Sequence, residues 1–131
     1  MDEKIAVLTE LIEQSCEANK LLLSNAISME NGEIEEAQKH LKSATQIIDV
    51  MVRDVFVEVK EAFEVESDDE DDYEYSVLDL SKLLVEVTKH AGNLLSYILS
   101  EESDTIMNIA INKLISSINA ASSLALSILL N

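Results

Sequence analysis

Residues 34–55 read IEEAQKHLKSATQIIDVMVRDV, and the periodicity of this stretch decides the architecture. Ile34, Ala37, Leu41, Ala44, Ile48, Met51 and Val55 recur at alternating spacings of three and four. On an α-helix that spacing lays side chains along one stripe, whereas a half-buried strand alternates every second residue. The overlapping segment VMVRDVFVEV (50–59) is rich in β-branched residues, which favour strands on propensity alone. No turn residue bounds it, so it reads as a continuation of the helix.

Working outward, MENGEIEEA (29–37) places Asn31-Gly32 as a helix stop, with Glu33, Glu35 and Glu36 at the next N-terminus. A first helix is expected over 3–30, with Ile5, Leu8, Ile12, Leu22, Leu23 and Ala26 turned inward. Downstream, Ser76 with Asp79 three residues later predicts a cap for a third helix. Its stripe is Val77, Leu80, Leu84, Val87, Ala91, Leu94 and Ile98. SEESD (100–104) interrupts it, and Ser103 or Asp104 caps a fourth helix striped by Met107, Ala110, Leu114, Ser117, Ala121, Leu124 and Ile128. The expected fold is an all-α, antiparallel four-helix bundle in one domain: a hairpin over 3–65, an acidic connector over 66–75 and a hairpin over 76–130. An offset of 73 residues brings the two halves' stripes into register and sets Asn31 on Asp104, which suggests a duplicated hairpin.

Composition narrows the function classes. The chain has 131 residues, no proline, two glycines and a net charge of −17. Hairpin-rich sheets need more turn residues than that supply. With a single Arg and 26 acidic residues, the chain is unsuited to a phosphate backbone or an anionic lipid surface. The lone Cys16 has no internal disulfide partner and reads as a packed thiol. The acidic start MDEKIAVL lacks the apolar stretch of a secretory signal. From Ile106 to Leu130 the only charge is Lys113, which invites a membrane reading. Asn108, Asn112, Asn119 and five serines interrupt that span and are costly in hydrocarbon. No membrane span is expected, and a buried or partner-facing helix fits better.

The run Glu66, Asp68, Asp69, Glu70, Asp71 and Asp72 has two readings, a solvated connector or a hook for a basic partner. An EF-hand loop requires Gly at its sixth position, where Asp68 onward offers Tyr73. Protonation of carboxylates below about pH 4 would carry the net charge from −17 toward +11, the sum of nine Lys and Arg with two His. Helical-bundle metal sites use Glu-x-x-His pairs, but Ala37 precedes His40 and Val87 precedes His90 at that spacing. No metal, cofactor or catalytic constellation is therefore expected.

The sharper feature is a flank on the second helix. With Ile34, Leu41, Ile48, Val55 and Ala62 on one stripe, the neighbouring positions are polar early on and then become Val52, Phe56, Val59 and Phe63. A helix that is apolar on a wider arc needs extra cover. Another helix of the same chain supplies it, or a second copy does across a two-fold axis. On the last helix Ser117, Ala121 and Ala125 form a small-residue row permitting close approach, which makes these seven residues the candidate interface. A homodimer or larger assembly follows, and the alternative is a cytoplasmic acidic adaptor for a basic or helical partner.

In length, helical character and absence of enzyme motifs the chain resembles the small helical virion structural proteins of crenarchaeal viruses such as Acidianus two-tailed virus. That resemblance implies a structural role in a particle, with other virion proteins as partners. It carries over no functional residue.

Overall fold

Every regular element among the described residues is helical. The computed structural model describes residues 2–64 and 71–130, with side chains over 3–63 and 78–130. The elements are α1 (Asp2–Glu30), α2 (Ile34–Val50), α3 (Phe56–Glu64), α4 (Asp71–Leu99) and α5 (Asp104–Leu130). A π-helical stretch, Met51–Val55, joins α2 to α3 with helical dihedrals on both sides, so the three form one rod.

The two short turns use the same hydrogen-bond scheme. After α1, the Gly32 N–H donates to the Met29 carbonyl and the Glu33 N–H to the Ser28 carbonyl. After α4, the Glu101 N–H donates to Ile98 and the Glu102 N–H to Tyr97. Both are Schellman stops, which place one residue in the left-handed region. That residue is Gly32 (φ 78°) in the first turn and Glu101 (φ 54°) in the second. Ser103 Oγ then accepts from the Ile106 N–H and caps α5, as its position predicted. The left-handed residues lie 69 positions apart, so the 73-residue offset does not superpose the turns.

Core formation follows the stripes. Ala37, Ala44, Ile48, Met51 and Val55 are buried, as are Leu80, Leu84, Val87 and Leu94. On α5 the buried set is Ala110, Ile111, Leu114, Ser117, Ile118, Ala121, Ala125 and Ile128. Burying a single leucine or isoleucine of this set contributes about 1.5–3 kcal/mol. α1 packs along α2 and α5, and α4 packs along α5. Ala18 of α1 and Ala121 and Ala125 of α5 are fully buried small residues, whereas bulkier Ile48, Met51 and Phe56 line the α2–α3 rod, which meets α4 at fewer points.

The phenylalanine flank takes the first of its two expected covers, packing within its own chain, and the π turn brings it there. Its closing bond runs from the Phe56 N–H to the Met51 carbonyl, five residues back instead of four. One residue beyond the α-helical count rotates everything after it by about 100°. Phe56, Val59 and Phe63 therefore swing from the flank into the core, where they are 8%, 3% and 8% exposed. Lys4 of α1 sets its ammonium 5.3 Å from the centre of the Phe63 ring. Val52 is half-buried against the same core. The expectation assumed a uniform 3.6-residue pitch, which this rod does not keep.

Three further corrections concern the boundaries. α4 begins at Asp71, so Asp71 and Asp72 are helical and Ser76 lies within the helix, not ahead of it. Glu66, Asp68, Asp69 and Glu70 of the acidic connector lie outside the described residues. Ile5 and Leu23, expected inside, are about half exposed, as is Ile34.

Candidate interaction surface

The residues that carry chemistry do not converge. Among the described residues no three His, Cys, Asp or Glu side chains gather in a way that would hold a metal ion. His90 Nε2 lies 3.4 Å from Glu86 Oε2, one turn back on α4. On α2, Glu36 pairs with Lys39 at 3.5 Å. Cys16 is exposed on α1, which corrects its expected packing.

What the fold assembles instead is an apolar face shared by α1 and α5. On α1, Ile5, Ile12, Cys16, Leu23 and Ile27 follow helical spacing about a quarter turn from the core stripe. Leu23 and Ile27 are 52% and 58% exposed, and Ile12 is half-buried. Asn19 lies between this row and the core, and its Nδ2 donates to Asn119 Oδ1 of α5 at 2.6 Å. That bond puts the α1 row beside the outer row of α5, where Asn108, Asn112, Asn119, Leu126 and Leu130 are exposed. α5 carries two charges in 27 residues, Asp104 at its start and Lys113. Of the acids of α1, Glu10, Glu13 and Glu17 project from a different arc, whereas exposed Glu30 closes the row seven residues after Leu23.

Two polar atoms near this seam are buried without a hydrogen-bond partner among the described residues: Ser15 Oγ and Asn19 Oδ1. A buried carbonyl without a donor costs about 1–3 kcal/mol, so the centre of the seam holds unused hydrogen-bonding capacity.

The candidate interface residues are sorted differently by the fold. Ser117, Ala121 and Ala125 are buried inside the chain, and with Phe56, Val59 and Phe63 they belong to its own core. The small-residue row faces the interior, where α5 packs against α1 and α4 of the same molecule. The polar row Asn108, Asn112, Ser116, Asn119 and Ser123 is exposed throughout. The α1 row is hidden in the sequence because Ile5, Ile12 and Leu23 also fit a core stripe. Its signal was present in the recurrence of 5, 12, 16, 23 and 27 beside the buried set. By length and composition α5 is apolar enough to cross a membrane, although 33% of its most apolar window is buried inside the chain. Known protein families, curated proteins and solved structures were compared with the chain, and none matches.

Proposed function

We propose that this is a non-catalytic assembly protein, an antiparallel four-helix bundle of two hairpins that self-associates through the α1/α5 face. One observation carries the reading: in a chain of net charge −17, this face has Leu23, Ile27, Leu126 and Leu130 exposed, and the one acid on its α1 row is Glu30 at the row's end. Its occupant is a second copy of the chain. Two copies repel wherever their acids meet, and here they bury apolar area without stripping water from a carboxylate. A strongly basic partner has more to gain on the acidic faces. The exposed asparagines supply donors and acceptors in equal number, which suits a surface pairing with itself about a two-fold axis. The resemblance noted in the sequence gives this assembly a natural setting as a virion component. Sheltered repeats of the hairpin remain part of the proposal only through their matching core stripes, since the turns are out of step.

Sedimentation over a wide concentration range tests it, with salt as the second variable. Self-association through a largely apolar face strengthens as salt screens the net repulsion. An acidic adaptor stays monomeric, and salt displaces its basic partner. Leu126→Glu should shift the association toward smaller species, and wild-type behaviour from that variant would overturn the choice of face. Flotation with neutral lipid vesicles separates docking on a bilayer from docking on a copy.

A further inference from the structure

α4 carries a second stripe that its own chain leaves uncovered. The core-facing residues of the helix are Leu80, Leu84, Val87, Ala91, Leu94 and Ile98. Its flank toward α5 is marked by Asp79, Lys82 and Leu83, which share a hollow with Ala120, Ser123 and Leu124. On the opposite flank stand Leu78, Ser81, Val85, Thr88, Gly92, Leu95 and Leu99. Their spacing alternates three and four for three heptads, the period of a helix seam. All seven are exposed, with Val85 at 65% and Leu99 at 77%. The Thr88 hydroxyl donates to the Leu84 carbonyl, so its hydrogen-bonding need is met within the helix.

Gly92 is the anomaly in this row. A glycine inside a helix costs about 1 kcal/mol relative to alanine, and its missing side chain lets another backbone approach closely. Inside this chain there is none, because a Cβ at position 92 meets no atom within 4 Å. The glycine forms the floor of a shallow hollow walled by Leu95, Ser96, Leu99 and Ser100, open to the outside.

We infer that this stripe is a second self-association face, in which α4 of one copy pairs antiparallel with α4 of another about a two-fold axis at Gly92. The partner's chemistry is fixed by the stripe's own symmetry. With Gly92 on Gly92 the two backbones approach closely, and Val85 of each copy lies opposite Leu99 of the other. The same operation brings Lys82 of each copy to the level of Glu102 of the other, next to Glu101. Both acids are exposed at the C-terminal turn of α4, where a helix already presents partial negative charge. Acids are absent from the stripe between 78 and 99, and its bordering charges are Lys82 and Lys89, so the attraction is local in a chain that otherwise repels its copies. The inference rests on the self-association reading but uses a helix and a face that reading does not.

The test separates the two faces. Wild-type chain should grow beyond the dimer with concentration. Leu95→Glu should stop at the dimer held by α1 and α5, Leu126→Glu at the dimer held by α4, and the double variant should be monomeric. Gly92→Ala should weaken the α4 contact at least about tenfold while raising the melting temperature, since the added methyl helps the helix and meets nothing in the monomer. In a Cys16→Ser background, Gly92→Cys should form a disulfide-linked dimer on oxidation, because a two-fold axis at that site brings the two Cα atoms within bridging range. Leu99→Cys alone should not. Wild-type assembly from Leu95→Glu, or no cross-link through Gly92→Cys, overturns the inference and leaves the α1/α5 reading standing. Failure of Leu126→Glu to change the assembly overturns that reading alone.

Discussion

Asn19 and Asn119 are hydrogen-bonded across 100 positions of sequence, the α1 amide nitrogen donating to the α5 amide oxygen at 2.6 Å. The bond ties the first helix to the last at the centre of the seam. Asn119→Ala should strip the Asn19 amide of its partner and lower stability by about 1–3 kcal/mol. Ser15→Ala removes a hydroxyl that is 1% exposed and has no partner among the described residues, so stability should hold or rise by up to about 1 kcal/mol. Urea unfolding at a concentration low enough for monomer checks both. A loss of stability from Ser15→Ala would mean that the hydroxyl is satisfied after all.

Phe56 and Phe63 distinguish a core from an interface by energy. Phe63→Ala should cost the monomer about 3–5 kcal/mol, the range for emptying a buried aromatic site. Leu99→Ala, on the exposed end of α4, should change monomer stability by less than about 0.5 kcal/mol. Were Phe63 on an outer surface, the two variants would melt alike.

The paired turns give a prediction of opposite signs. Glu101 sits at φ 54° without the freedom of glycine, so Glu101→Gly should stabilise by about 1 kcal/mol. Gly32→Ala, at φ 78° with open space around it, should destabilise by a similar amount through backbone strain alone. Thermal melts of the two single variants measure this directly, and equal signs would contradict the shared Schellman geometry.

Cys16 reports on the α1/α5 face without any substitution. The thiol is exposed and belongs to the row containing Ile12 and Leu23. A thiol reagent should titrate one equivalent per dilute chain, and its rate should fall as protein concentration drives association. An unchanged rate at concentrations where sedimentation shows assembly would move the contact elsewhere.

Much of this architecture is legible in the sequence because the buried positions obey one period. The stripes of α4 and α5 pack where their spacing placed them, and Gly32 stops α1 as its residue type required. α1 is less legible, since Ser15, Ala18, Asn19 and Asn25 are buried while Ile5, Leu23 and Ile27 face outward. A helix with polar and small residues inside and aliphatic ones outside gives hydropathy little contrast to read. The phenylalanine flank was misplaced for another reason: a π turn has no compositional signature, so a helical wheel continued past Val50 points Phe56 a quarter turn from its true direction. Gly92 gives no sign in the sequence because the empty space beside it exists only in the folded chain.

The Met51–Val55 turn makes the oiliness of this molecule a matter of counting. Removing one codon within it would leave a plain α-helical rod with both aromatic rings still turned inward, because the lost residue and the lost extra position cancel. Straightening the turn at unchanged length would instead swing the rings toward water and convert a sheltered segment into a sticky one.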